Sequence, residues 1–258
     1  MYNVSAMKEE IPILNQEEII KMMRAGAIAA ELKTLLTQKS QLGITTRELD
    51  QFAENFILEN GAKPAFKGFQ GYPFTLVTCV NEEVVHAMPG SRSLKTGDLL
   101  TIDLGGIAEG FYSDTALTFV INEPQKEKRF LEAGQMALNK AISQCIEGKY
   151  VGDISHVIQT TVEDAGYSVV RMFTGHGVGR NLHQPPEIPC WGPPHTGPEL
   201  KEGMGLAVEV MYTKGSSDVK ILEDGWTAIT TDGSLSAMFE ETVIVGRREP
   251  QITTRIKG

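Results

Sequence analysis

Residues 99–120, LLTIDLGGIAEGFYSDTALTFV, consist of two apolar runs separated by a glycine-containing segment. Each run has the length and the β-branched content typical of a strand, and glycines between two such runs indicate a hairpin turn. Asp103 and Asp114 lie one in each run, so a hairpin would bring their carboxylates together. Because an ionised carboxylate is costly to bury unless it is paired or binds a metal ion, this segment indicates a candidate site as well as a fold.

The rest of the chain combines similar runs with helical patterns. FTLVTCV precedes the opening segment, and GLAVEVMY and MFEETVIVG follow it, the last two carrying Glu209 and Glu240. The first third is helical in pattern, since Asn15 and Glu18 have the spacing of a capping box ahead of IIKMMRAGAIAAELKTLL. This mixed order predicts an α+β fold.

One later segment fits neither a strand pattern nor a helix pattern. Residues 184–200, QPPEIPCWGPPHTGPEL, contain six of the twelve prolines of the chain. Proline fixes φ and lacks a backbone donor. The segment is therefore predicted to be an ordered loop or lid rather than a regular element.

Four acidic residues lie within apolar strand patterns, and a histidine among glycines in FTGHGVG, His176, offers a nitrogen ligand. Carboxylates with one imidazole suit ions such as Mn²⁺ or Fe²⁺ better than a structural zinc site. Any one of these residues alone is more often salt-bridged or turn-facing than a ligand. Their spacing along the chain does not establish that they converge, because strand order cannot be derived from it.

Composition excludes several classes of protein. The chain has 258 residues and a formal net charge of −9, which disfavours nonspecific attraction to nucleic acid or to anionic lipid. No apolar run is long enough to span a bilayer, and the first residues lack the apolar core of a signal peptide. Cys79, Cys145 and Cys190 form no CxxC pair, which indicates a reducing compartment. We expect a cytoplasmic protein without membrane or specific DNA partners.

Five segments in order resemble one family: VNEEVVHAMPG (80–90), GDLLTIDLGGIAEGFYSDTALTF (97–119), FTGHGVGRNLHQPPEIP (173–189), EGMGLAVEVM (202–211) and DGWTAITTDGSLSAMFEETV (224–243). They are similar to the methionine aminopeptidases of the short bacterial kind, type I of peptidase family M24, over nearly the whole length. The resemblance implies the pita-bread fold, with an antiparallel-rich curved sheet and outer helices. It further implies one catalytic domain over residues 1–258, with 1–14 as a flexible N-terminal extension.

The resemblance also implies a complete ligand set for two divalent cations, which could be Mn, Fe, Co or Zn. Asp103 would chelate one ion, Asp114 and Glu240 would bridge both, and His176 and Glu209 would complete the second. Such a pair of ions activates a water as the nucleophile. Glu209 would then shuttle a proton to the leaving amine.

Two further histidines match non-ligand positions of the family. His183 would hydrogen-bond the developing oxyanion, and His86 would contact the amide nitrogen or the following residue. A surface loop position without a role is the alternative for His183. The methionine pocket is predicted to consist of five apolar or aromatic residues: Phe66, Phe69, Tyr72, Leu182 and Trp226. Core packing is the alternative for these side chains.

Two positions depart from the family pattern. Val210 follows Glu209 where the family usually has proline, and Glu241 follows Glu240 where it usually has histidine. Because strand side chains alternate between faces, Glu241 is predicted to face away from the metals. The FEET sequence also leans towards aminopeptidase P and prolidase, which are the nearest alternative. A catalytically inactive pita-bread scaffold is a second alternative, although such a protein would be expected to have lost ligands.

The expected substrates are nascent polypeptide N-termini with a small second residue, since a shallow site beyond the cleaved bond would exclude a bulky one. A transient ribosome contact and a monomeric state are the corresponding expectations for partners.

Overall fold

The computed structural model describes residues 10–255. Four α-helices lie in this range: α1 (Gln16–Lys39), α2 (Thr46–Glu59), α3 (Lys128–Ile142) and α4 (Val151–Asp164). The strands of the same range are β1 (Lys63–Pro64), β2 (Leu76–Val80), β3 (Glu83–Val85), β4 (Leu99–Ala108), β5 (Phe111–Val120), β6 (Ser168–Val169), β7 (Thr174–Gly177), β8 (Gln184–Pro189), β9 (Gly205–Thr213), β10 (Val219–Ile221), β11 (Ala228–Thr230), β12 (Ser236–Ile244) and β13 (Gln251–Ile252). The α+β class is confirmed.

The start of α1 confirms the predicted capping box. The Asn15 side chain accepts the Glu18 N–H, and the Glu18 carboxylate accepts the Asn15 N–H, so two N–H groups that the helix cannot satisfy are paired. Residues 1–9 of the predicted extension lie outside the described residues. Leu14, near its end, is buried, and its N–H donates to the Gly203 carbonyl at 2.8 Å.

The main sheet has ten strands with the order β1-β4-β5-β12-β9-β7-β8. In addition, β2 pairs with β4, β13 with β12 and β6 with β9, and the pairings between these strands are antiparallel. A small antiparallel sheet contains β10, β11 and β3. Helix α1 packs on β4 and β5, whereas α3 packs on β9 and β12. The helices cover one face of the sheet and leave the other face available for a site.

The predicted hairpin is β4–β5. Ala108 is opposite Phe111, so the turn consists of Glu109 and Gly110, whose φ values are 51° and 83°. Two consecutive residues at positive φ characterise the tight turn whose twist matches the flanking strands, and glycine adopts this conformation without steric cost. The turn thereby sets the register of the strands that carry Asp103 and Asp114.

The prediction of a loop over residues 184–200 is wrong for its first part, because residues 184–189 form β8. This strand lies at the end of the main sheet. Proline is tolerated at a sheet edge, where its missing N–H leaves no ladder bond unmade. No helix within residues 10–255 has the length and apolar content needed to cross a membrane.

Candidate metal centre

Three of the predicted ligands lie in one row across four adjacent strands. Asp103 on β4 is opposite Ala116 on β5, Ala116 is opposite Glu240 on β12, and Glu240 is opposite Glu209 on β9. Directly opposed residues of antiparallel strands share one face of the sheet. Asp114 lies two residues before Ala116 and therefore has the same face. The sheet register thus brings four carboxylates together on the face opposite the helices.

His176 completes this group from β7. Its Nε2 atom lies 3.4 Å from Glu209 Oε1 and 3.6 Å from Asp114 Oδ2. Its Nδ1 atom lies 3.0 Å from the Gly177 carbonyl oxygen, an acceptor, so Nδ1 carries the proton and Nε2 presents a lone pair. A lone pair facing two carboxylates is unfavourable unless a cation lies between them.

The donor set fits divalent cations. Three carboxylate oxygens are buried without a hydrogen-bond partner: Asp103 Oδ1, Asp114 Oδ1 and Glu240 Oε1. Ligand atoms of Asp103, Asp114 and Glu240 lie within 4.8 Å of one another, and so do those of His176, Glu209 and Glu240. These two groups share Glu240, which is the arrangement that two neighbouring ions with a bridging carboxylate require. Unpaired buried oxygens of this kind are otherwise costly.

Burial controls the electrostatics of the group. It raises the pKa of Asp103 to about 7. The pKa values of Asp114, Glu209 and Glu240 are also raised well above their usual range, first by burial and then by the neighbouring carboxylates. Burial lowers the pKa of His176 to about 3, so the imidazole is neutral at pH 7. Without cations the carboxyl groups retain protons, and bound cations would take the place of those protons.

The five residues lie in a cleft of about 650 Å³. Every other predicted site residue also lines it: Phe66, Phe69, Tyr72, His86, Leu182, His183 and Trp226. The structure therefore brings the whole predicted set to one cavity. For the core-packing alternative, this means that Phe66 and Tyr72 are buried, that Phe69 and Trp226 are partly buried, and that all four border the cleft.

The two non-ligand histidines lie on different parts of the cleft. The His183 ring is 4.2 Å from the His176 ring and makes an edge-on contact at 5.0 Å with Phe69, measured between centroids. His86 packs edge-on against Phe173 at 5.4 Å and has a φ of 60°. Such a backbone conformation is uncommon for a residue other than glycine and is concentrated at functional sites.

The predicted pocket residues belong to one apolar cluster. Tyr72 contacts Trp226 edge-on at 5.0 Å, and the Tyr72 hydroxyl donates to the Leu76 carbonyl at 2.9 Å. That hydroxyl is therefore used within the protein. Its hydrogen is not available to a ligand, and the Tyr72 side chain borders the cleft.

Several lining residues were not predicted from the sequence, among them Met211, Met238, Phe173 and Met172. Strand alternation contained a signal for two of them. Met211 and Met238 lie two residues from Glu209 and Glu240 respectively, so they point to the same face. Phe173 and Met172 precede β7 and carried no comparable pattern.

The two departures follow Glu209 and Glu240 in their strands, so their side chains lie on the opposite face of the sheet. Val210 is buried in the core beneath the sheet. The Glu241 carboxylate accepts from Lys33 of α1 at 2.9 Å, which confirms that it faces away from the ligands.

This topology, with carboxylates contributed by its central antiparallel strands, defines a metallohydrolase with the pita-bread fold. A model of metallopeptidase family M24 matches residues 20–247, and the chain belongs to that family. The chain is 45% identical to the methionine aminopeptidase of Clostridium perfringens, over 96% of this chain and 100% of that protein. It is 44% identical to methionine aminopeptidase 1 of Bacillus subtilis, over 91% of this chain and 95% of that protein.

Solved structures agree with this assignment. The methionine aminopeptidase of Thermotoga maritima superposes with a TM-score of 0.93 at 38% identity, covering 96% of this chain and 100% of that one. The prolidase of Pyrococcus furiosus has a TM-score of 0.76 at 23% identity, covering 95% of this chain and 66% of that one. The second likeness concerns the fold alone.

Proposed function

We propose that this chain removes the N-terminal methionine from polypeptides whose second residue is small, with two bound divalent cations. The observation that carries the proposal is the row of Asp103, Glu240 and Glu209, joined by Asp114 and His176, beside a cleft with aromatic walls. Relatives that match over almost their whole length are named methionine aminopeptidases. The family membership itself implies a metal ion, whereas the number of ions is part of the proposal.

Each ligand has a proposed place. Asp103 would hold one ion, Asp114 and Glu240 would be shared by the pair, and His176 with Glu209 would complete the second position. Divalent cations bound in this way supply a water that is nucleophilic near neutral pH and polarise the scissile carbonyl. Glu209 accepts the proton of the attacking water and transfers it to the leaving amine.

The histidines act on the substrate. His183, exposed beside His176, donates a hydrogen bond to the oxygen that gains charge, which is the usual means of stabilising such a transition state. His86 contacts the amide nitrogen of the scissile bond. Burial lowers the pKa of His86 to about 4, so it is neutral at pH 7.

The methionine side chain occupies the pocket formed by Phe66, Phe69, Tyr72, Leu182 and Trp226. Aromatic rings favour contact with a thioether sulfur, and an apolar pocket with few polar groups suits a flexible unbranched side chain. The physiological setting that we propose is the cytoplasm, with nascent chains as substrates, a transient ribosome contact and a monomeric enzyme. Mn, Fe, Co and Zn ions are the candidates for the metal.

The Xaa-Pro peptidases are the second candidate function, favoured by the FEET sequence at residues 239–242. Solved structures of prolidases and of an Xaa-Pro dipeptidase match at 20–23% identity, and this chain covers at most 66% of each. An inactive scaffold is the third. All five predicted ligands converge, and three of their buried oxygens have no hydrogen-bond partner. Both observations argue against an inactive scaffold.

The test is hydrolysis of Met-Ala-Ser and of an Ala-Pro peptide by metal-stripped protein, repeated with Mn²⁺, Fe²⁺, Co²⁺ or Zn²⁺. Metal-dependent release of methionine from the first peptide alone is the expected result. Cleavage only before proline would instead identify the Xaa-Pro activity, and no hydrolysis with any ion would indicate the scaffold. Asp103→Ala and His176→Ala should remain folded and lose activity, so full activity in either variant would contradict the proposed site.

A further inference from the structure

The strands β5 and β12, which carry Asp114 and Glu240, have less regular backbone pairing than is usual for neighbouring strands inside a sheet. Ala116 and Glu240 are the one pair in register between these strands in the described chain. Threonine hydroxyls supply further bonds. The Thr242 hydroxyl donates to the Asp114 carbonyl at 2.7 Å and accepts the Asp114 N–H at 2.9 Å. The backbone of a proposed bridging ligand is therefore held by a side chain of the neighbouring strand.

The backbone of Glu240 is held from the opposite strand in the same way. The Thr115 hydroxyl donates to the Glu240 carbonyl at 2.8 Å. This hydroxyl lies on the helix side of the sheet, where Lys33 of α1 donates to it at 2.8 Å and to Glu241 at 2.9 Å. Lys33 and Glu241 are both largely buried, so water does not compete with the hydrogen bond between them.

The C-terminal segment that follows β13 binds the same carboxylate. Arg255 Nε donates to Glu241 at 2.9 Å, and Arg255 Nη2 donates to Asn139 of α3 at 2.8 Å. The Thr254 hydroxyl contacts Glu241 and accepts the Thr242 N–H at 3.0 Å. The Glu241 carboxylate thus joins Lys33 of α1 to Arg255, and it accepts from the Thr115 hydroxyl at 3.3 Å. It reaches Thr242 through Thr254.

We propose that Glu241, held by Lys33 and Arg255, is a positioning residue that sets the separation of Asp114 and Glu240. This inference rests on the proposed two-ion site. Asp114 and Glu240 are the ligands proposed to be shared by both ions, so a change in their separation acts on the formation of the ion pair, which binding of the second ion completes. Groups that orient metal ligands without touching the metal typically alter metal affinity by about 10–100-fold when replaced.

The test measures Mn²⁺ binding to metal-stripped protein. Calorimetry gives the affinity for each ion, and the electron paramagnetic resonance signal of a spin-coupled Mn²⁺ pair reports that both positions are occupied. Glu241→Gln preserves the shape of the side chain and removes its charge. It should weaken the second Mn²⁺ by about 10–100-fold and reduce the coupled signal at two equivalents. Arg255→Gln, which removes the contacts of a partly exposed side chain with Glu241 and Asn139, should change both readings in the same direction by a smaller factor.

Lys214→Met is the matched control. It removes an ion pair of 2.6 Å between Lys214 and Glu127, which lies outside this network, and it should leave Mn²⁺ binding unchanged. Unchanged affinity for the second Mn²⁺ in both the Glu241 and Arg255 variants would overturn the inference, as would a parent protein that binds no Mn²⁺ pair. A parent that binds the pair and releases no methionine would contradict the proposed function and leave the positioning role intact.

Discussion

Asp103 and its acidic neighbours show how a site can oppose the stability of the protein that contains it. Burial raises the pKa of Asp103 to about 7 from an ordinary value of 3.8. In metal-free protein the folded state therefore binds a proton that the unfolded chain has already lost over this interval. A raised acid pKa contributes stability that is present below the unfolded value and is lost as the pH rises through the folded value.

We predict that metal-stripped protein loses stability as the pH rises from about 6.5 through 7, because at lower pH the lowered pKa values of His176 and His86 add stability with rising pH and offset the effect of Asp103. The same protonation equilibrium requires that metal binding releases protons and weakens as the pH falls through this window. Thermal unfolding in chelator across the window, and calorimetry in buffers of different ionisation enthalpy, measure the two effects. A metal-free melting temperature that still increases as the pH rises from about 6.5 through 7 would contradict the assignment of the raised pKa.

Asp114→Asn tests the repulsion between the buried carboxylates by removing one ionisable group. Asp114 is buried beside two other carboxylates, and the amide removes an ionisable group from that cluster. We expect the metal-free variant to be at least as stable as the metal-free parent and to gain no stability from added metal. Glu187→Gln is the control, because Glu187 is an exposed carboxylate on the same cleft and should leave the metal response unchanged. A variant that is stabilised by metal as strongly as the parent would exclude Asp114 as a ligand.

At the scale of elements, the short segment around the 3₁₀ turn Phe69–Gly71 positions one wall of the pocket. It begins at Gly68, whose φ is 90° and whose Cβ position is free of contacts. Gly68→Ala should therefore cost about 1–2 kcal/mol of backbone strain without a steric clash. We predict a raised KM for methionine peptides, by roughly five- to tenfold if about 1 kcal/mol of that strain is relieved by moving the wall.

Gly61→Ala is the matched control for this element. Gly61 has a φ of 72° and a free Cβ position, but it lies after α2, away from the cleft lining. It should lose similar stability with an unchanged KM. Equal KM values for the two variants would show that the turn does not set the pocket.

The elements also show what the sequence can predict. Capping residues and apolar runs are local signals, and they predicted the start of α1 and the strands that carry the four proposed carboxylate ligands, but not β7, which carries His176. The edge strand β8 was missed because Pro185, Pro186 and Pro189 argue against a strand unless its place at the edge is known. Asp114 and Glu240 are far apart in sequence, so their convergence depends on a long-range register that no local pattern contains.

At the scale of the whole molecule, the ligands come from two halves with separate apolar cores. Asp103 and Asp114 lie on strands that pack against α1, and most of one core consists of α1, α2, β2 and β4. Glu209 and Glu240 lie on strands that pack against α3, within the other core. Bound cations would therefore join two packing units through the shared sheet. That residues 1–258 form one domain remains a prediction.

Calorimetry tests the prediction that the chain forms one domain. If the shared sheet couples the two cores, the protein should unfold in a single transition both with and without metal. At a free metal concentration of about 100 times Kd the added stability is about 2.7 kcal/mol, which for a domain of this size corresponds to a rise of roughly 5–10 °C in Tm. Asp114→Asn should show the single transition without the rise. Two transitions of which metal moves only one would mean that the ions stabilise one half alone, because ligands drawn from both halves cannot bind metal tightly unless both are folded.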